Sequence, residues 1–293
     1  MGTNATRFAR VGAVALGMLM LVGPSLAKPA AGAGPRVDSG AVAVVRVEDV
    51  GGFVVPASLL TRLPTVSIYR DGRVITRGPQ ILIFPPPALP SVEVQRVWPA
   101  DVYSLARLAL AAGVGSRLDV GEPAVSDLPT TRFTVRIGRA VRTTDVYGLS
   151  VGNSFQTGLT PRQRANRARL SRLVATLSDP GSLLGRHRVG RQLRYHPRAM
   201  AVVVQPWRPP SDPVQGQRAM RWRGPRLPGP TLGGWFDLSC VTATGAALPR
   251  VLADATHANT QTPWVSAGRR WALDFRPLLP DERDCASLRA NLR

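Results

Sequence analysis

Lysine is nearly absent from this chain: of 38 basic residues only Lys28 is a lysine, and all the others are arginine. Acids are few as well, 18 in all, which leaves a formal net charge of +20. Cysteine and histidine number two and three and fall into neither CxxC nor HxxxH spacing, so a structural zinc site is not expected. Apolar runs are missing beyond the N-terminus. The one at residues 11–22 is 12 residues long, whereas a membrane-spanning helix needs roughly 20. No glycine-rich loop leads from a strand into a helix; Gly113-Val114-Gly115 follows a helical pattern and reads as its stop. No cofactor is expected.

What is present at the start has the three parts of a secretory signal. Arg7 and Arg10 give a basic opening, the apolar run follows, and Ser25-Leu26-Ala27 is a small-residue end, so residues 1–27 are expected to be removed after Ala27. Lys28 stands where a lipoprotein would need cysteine. The expected product is a secreted or cell-envelope protein of 266 residues (293 − 27) with no transmembrane segment. Residues 28–40, rich in Pro, Gly and Ala, read as a flexible leader. In an oxidising compartment Cys240 and Cys285 are expected to pair. Their separation of 45 residues (285 − 240) makes such a bridge worth about 4 kcal/mol in the chain-entropy account.

Charge is unevenly spread. Without Arg7 and Arg10 the net is +18, and residues 160–226 alone hold 15 Arg against 2 Asp, or +13. Such a segment can hold anionic envelope polymers or lipid head groups, with nucleic acid the less favoured polyanion. Candidate contacts are Arg162, Arg167, Arg191 and Arg194, with Trp207 and Trp222 interleaved among the arginines as stacking partners. The competing reading is compositional: a chain this rich in Arg, Ala, Gly and Pro places arginine at many ordinary solvated positions.

Along the chain, residues 65–76 carry the clearest local pattern. Val66, Ile68, Val74 and Thr76 alternate around Asp71-Gly72, which predicts a hairpin. Similar passages occur at 132–146 and 265–275. Further strands are expected at 41–47, 81–84, 199–204 and 235–241, with residues 53–56 leading straight into the first hairpin. Pro99 opens a helix whose Val102, Leu105, Ala106 and Ala109 form one apolar face. Thr160 and Gln163 form a capping box around Pro161, ahead of a stripe of Leu170, Leu173, Val174 and Leu177. Arg162, Arg164, Arg167, Arg169 and Arg172 are expected to occupy the wet remainder of that helix. A short helix is expected at 248–259, opened by Pro249. The fold class expected is α+β, a mainly antiparallel sheet built from hairpins with two or three packed helices and many loops. It divides into an N-terminal region, 41–184, and a C-terminal region, 185–293, with a long Arg/Pro-rich loop and the disulfide.

The blocks SIYRDGRVIT, SDLPTTRFTV, GLTPRQRANRARL and RPLLPDERDC resemble a set of exported proteins of high-GC Gram-positive bacteria with no assigned activity. The resemblance spans most of the mature chain and implies a shared fold. It carries over no functional residues.

One catalytic pattern occurs, Gly148-Leu149-Ser150-Val151-Gly152, which fits G-x-S-x-G and makes a secreted serine hydrolase using Ser150 the alternative. A strand before it is plausible, but residues 153–158 read as a turn where a helix is required, and His257 precedes Asp274 in the wrong order. The adjacent acids Glu48-Asp49 and Asp281-Glu282 point apart and sit near turns, so they read as solvated rather than as a glycosidase pair. Trp235, Trp264 and Trp271 are expected in the core near the cysteines. The preferred expectation is a non-enzymatic exported protein.

Overall fold

Asp71 and Gly72 reverse the chain as the alternation predicts. The strands on either side, β2 (Val66–Tyr69) and β3 (Arg73–Arg77), pair antiparallel with Val66 opposite Thr76 and Ile68 opposite Val74. Gly72 sits at φ 85°, and a Cβ there would lie 2.1 Å from the Val97 carbonyl oxygen, so only glycine fits. The structure, a computed structural model, describes residues 1–2, 41–150, 157–213, 217–232 and 238–292. The expected signal peptide and leader, apart from Met1 and Gly2, and Trp235 lie outside the described residues.

Around this hairpin a seven-stranded antiparallel sheet is assembled in the order β6-β5-β1-β2-β3-β4-β7. Its further strands are β1 (Ala43–Val50), β4 (Val92–Arg96), β5 (Thr130–Ile137), β6 (Ala140–Tyr147) and the two-residue β7 (Leu193–Arg194). The apolar alternates of these strands, Val45, Val47, Val66, Ile68, Val74, Phe133 and Val135, all face a helical layer. That layer is α2 (Pro99–Ala111) and α3 (Pro161–Ser178), which contribute Leu105, Ala109, Leu170, Leu173 and Leu177, with the short α4 (Gly181–Leu184) following. Both long helices carry proline in the first turn, where its missing N–H is no loss.

A second, five-stranded sheet has the order β10-β8-β12-β11-β9. It comprises β8 (Met200–Pro206), β9 (Met220–Arg221), β10 (Ser239–Ala243), β11 (Trp264–Ser266) and β12 (Arg269–Pro277). Among the described residues only the β9–β11 pair is parallel. One face packs α5 (Ala247–Thr256) and an aromatic cluster in which Trp222, Trp264 and Phe275 meet with ring centroids 5.5–6.4 Å apart. The other face carries Ala201, Val203 and Cys240 and packs α1 (Pro56–Thr61) and the C-terminal 3-10 helix Cys285–Leu292. Cys240 and Cys285 form the expected disulfide, with Cα atoms 6.0 Å apart. Trp264 and Trp271 are buried, as expected. The fold is α+β, mainly antiparallel and built from hairpins, with five helices among the described residues.

Three expectations need correction. Residues 53–56 do not run into the first hairpin; α1 intervenes, because Leu60 and Ala57 find an apolar seat on the second sheet. Residues 81–84 form no strand. β3, the strand they follow, already pairs with β2 on one side and β4 on the other and so offers no edge, and Pro79 and Pro85 bracket the segment without donors to give. The helix near 248–259 starts at Ala247 and ends at Thr256, with Pro249 inside its first turn rather than at its opening.

The described residues from Ala41 onward belong to one compact unit. The expected regions 41–184 and 185–293 match the two sheets only in outline, since each lends an element to the other. α1 leaves the first sheet to pack on the second, and β7 returns from beyond residue 184 to pair with β4 at the edge of the first.

Candidate functional site

The arginine-rich helix α3 begins with both halves of its capping box in place. Gln163 N donates to Thr160 Oγ1 at 3.2 Å, and Thr160 N donates to Gln163 Oε1 at 2.8 Å. With the start fixed, the 3.6-residue period turns Leu170, Leu173 and Leu177 to the sheet and leaves Arg162, Arg164, Arg169 and Arg172 exposed. Arg164 is anchored on the Leu159 carbonyl, and Arg169 reaches Asn166 Oδ1 at 3.5 Å. Asp119 sits near the start of the helix and is already bound by the Gln163 side-chain amide at 3.0 Å.

Arg167 does not join this surface. Its side chain is fully buried and donates to the carbonyl oxygens of Tyr147 (2.8 Å), Val120 (3.4 Å) and Gly121 (3.5 Å). Burial with no carboxylate partner pushes its pKa down from the ordinary arginine value. Trp222 is likewise lost as a surface contact: it is buried in the aromatic cluster, and its indole N–H donates to Pro225 O. Trp207 is half-buried at the end of β8, its Nε1 donating to Gln261 O at 3.4 Å while Arg270 lies 5.7 Å from its ring centre. It lines a cleft of about 280 Å³ with Pro209, Pro213 and Gln217 on the second sheet, not on the α3 side.

Arg191 and Arg194 are exposed, as expected. Arg194 stands directly opposite Glu93 in the β4–β7 pair, and Glu93 shares a face with Gln95, two residues on. The Gln95 side chain donates to Ser178 O at the end of α3 at 3.4 Å, so Arg194 stands on the sheet face that α3 covers. Arg191 follows Gly190, whose N–H is fixed on Arg96 O at 2.7 Å. Several neighbours are already neutralised: Arg186 by Asp179 (3.0 Å), Arg188 by Asp101 (2.7 Å) and Arg223 by Asp254. Among the described residues Arg162, Arg172, Arg191 and Arg194 make no side-chain ion pair or hydrogen bond.

Ser150 is exposed and follows β6, the outermost strand of the first sheet, whereas His257 follows α5, which packs on the second sheet, and Asp274 lies on β12 of that sheet. The second half of its motif, Val151 and Gly152, lies outside the described residues. Ser150 lines none of four clefts formed by the described residues. Burial raises the pKa of Asp274, which accepts from Gln205 Nε2 at 3.4 Å and so serves β8–β12 packing. No group of three or more His, Cys, Asp or Glu able to hold a metal ion occurs among the described residues, and no helix among them is long and apolar enough to cross a membrane.

The acids at 281–282 are not solvated. Asp281 receives Arg46 at 2.8 and 2.9 Å and the Tyr69 hydroxyl at 2.8 Å; Arg46 Nε also donates to Ser67 Oγ at 3.2 Å. Glu282 receives Arg276 at 2.8 Å and the Leu279 N–H at 2.7 Å. Burial, opposed in part by Arg46, pushes the Tyr69 hydroxyl far up, so it stays a neutral donor. Glu48, also raised by burial, lies close enough to Arg46 to be held by its charge. This network ties β1 and β2 to the C-terminal segment and is structural. Its sequence signal was the run of charges in PDERDC, in which Asp281 finds its partners more than 200 residues away.

No family model, no curated protein and no solved structure matches this chain.

Proposed function

We propose that this is an exported, non-enzymatic protein of the cell envelope that holds a phosphate-rich anionic partner, an envelope polymer or lipid head groups, on the α3 side of its first sheet. The observation behind this reading is the set Arg162, Arg172, Arg191 and Arg194. These are exposed and unpaired among the described residues, while the buried or neutralised arginines of the same segment are each accounted for. Guanidinium groups suit phosphate oxygens because each offers several donors in a fixed plane. Export rests on the signal pattern at residues 1–27, and the Cys240–Cys285 bridge fits an oxidising compartment.

The test is a charge-matched comparison. Replacing Arg162, Arg172, Arg191 and Arg194 by Gln removes four charges, each worth about 1 kcal/mol near an anionic leaflet. Retention on immobilised polyphosphate and on anionic vesicles is expected to fall by about a hundredfold or more. A control variant carries Gln at Arg208, Arg250, Arg269 and Arg283, exposed arginines outside the α3 side. Equal losses in both variants would mean that the total charge of the chain, not this face, does the binding.

A further inference from the structure

The described residues include two exposed apolar loops. Phe53, Val54 and Val55 are 88, 43 and 66% exposed, and Ile81, Leu82, Ile83 and Phe84 are 62, 101, 55 and 68% exposed. A soluble chain rarely leaves consecutive large apolar side chains in water without a partner for them. Both loops leave the same end of the first sheet. The first follows the C-terminus of β1 and the second follows that of β3, and β2 alone lies between these strands, so the loop bases are about 10 Å apart.

Neither loop is loosely attached. Phe53 N donates to Asp127 O at 3.1 Å. The second loop is held on its near side by Gly78 N to Ser91 O at 3.0 Å and by the Gln80 side chain on Gly78 O and Ser91 O. On its far side Ala88 N donates to Ala258 O at 3.0 Å, and Thr260 N to Pro86 O at 2.9 Å. Between these anchors the apolar side chains project. Residues 79–87 read PQILIFPPP, so four of nine positions carry no N–H that would have to be satisfied in an apolar medium.

The charges placed around this end balance: Arg62, Arg77, Arg162, Arg164 and Arg194 stand against Asp49, Glu93, Asp119, Glu122 and Asp127. Contact here is driven by apolar burial. A soluble polyanion offers nothing to Leu82 or Phe84. An anionic bilayer offers phosphates to the α3 arginines and an apolar layer to the loops. The first turn of α3 is at this end, since Arg167, in its second turn, bonds the carbonyl of Tyr147, the last residue of β6.

We propose that the loops at residues 53–55 and 81–84 insert together into the headgroup–acyl boundary of an anionic lipid bilayer, the first sheet standing end-on to the membrane. This rests on the anionic-surface reading above and adds to it the lipid and the orientation: Arg162, in the first turn of α3, and Arg194, opposite Glu93 near the start of β4, stand at the membrane end, whereas Arg191, beside the C-terminal end of β4, stands at the other. Two weak signals, apolar insertion and charge, then combine as they do in other peripheral anchors.

The experiment uses the full mature chain and phosphatidylglycerol–phosphatidylcholine vesicles. An environment-sensitive fluorophore on Leu82→Cys should shift to the blue on vesicle addition and be quenched by spin-labelled acyl chains. The same label on Arg139→Cys, in the β5–β6 turn at the opposite end, should do neither. The variant Phe53→Gln/Leu82→Gln/Phe84→Gln should lose at least tenfold in vesicle partitioning yet keep its retention on polyphosphate. Salt-sensitive vesicle binding with the Leu82 label still in water would overturn insertion while leaving the basic surface standing. Loss of polyphosphate retention in the triple variant, or lipid-free dimerisation abolished by it, would overturn the lipid assignment as well.

Discussion

Arg162 and Arg167 lie five positions apart on one helix, which turns them to different sides of it, and they have opposite environments. Arg162 is in water, while Arg167 is fully enclosed and serves three carbonyl oxygens, one at the end of β6 and two in the loop at residues 120–121. Truncating it leaves those oxygens and a cavity behind, so Arg167→Ala should cost about 3 kcal/mol of stability. Arg167→Lys should recover little of this, because a single ammonium cannot span carbonyls that a planar fork reaches from two sides. Arg162→Ala should stay within about 0.5 kcal/mol of the parent. Urea denaturation of the three variants decides the matter: equal midpoints for Arg167→Ala and Arg162→Ala would show that the buried guanidinium holds nothing together.

At the scale of elements, the C-terminal 3-10 helix depends most on a covalent tie. It sits on α1 and β10, and Cys285 joins it to β10 through the bridge to Cys240, reinforced by Cys285 N donating to Thr242 Oγ1 at 3.1 Å. Replacing both cysteines by serine should lower stability by about 2–4 kcal/mol, with hydrogen exchange rising first in Cys285–Leu292 and α1. An unchanged melting midpoint in the double variant would show that packing alone secures the segment. The hairpins, α2 and α3 were legible in the sequence because a period of two around Asp71-Gly72, or of 3.6 after Thr160-Pro161, is a local property. α1 was not, since its six residues are helical for the sake of an apolar seat supplied by strands more than 130 residues later. Residues 81–84 looked like a strand because their composition is that of one, but pairing needs a free edge, and only the sheet order reveals that β3, the strand they follow, has both of its edges taken. The candidate surface was legible in charge but not in position. Composition could count the arginines of 160–226 without telling Arg167, which faces inward, from Arg172, which faces out.

At the scale of the whole molecule, the two sheets are held together by exchanged parts rather than by a linker. A cut between residues 184 and 185 would leave the C-terminal half without α1, exposing Leu232, Leu278 and Leu288. It would strip β7 from the edge of β4 in the N-terminal half. It would also separate Arg46 and Tyr69 from Asp281, leaving a half-buried arginine and a buried hydroxyl without their carboxylate, a loss of the kind that costs about 3–5 kcal/mol. The disulfide does not compensate, because both cysteines lie on the same side of the cut. Residues 41–184 and 185–293, produced separately, should therefore show no cooperative thermal transition, whereas the intact chain should melt in one. Near-native ellipticity should return only when the two pieces are mixed. A sigmoidal melt from 185–293 alone would mean that the second sheet is an independent domain, and that α1 and the Arg46–Asp281 contact decorate an interface rather than complete a core.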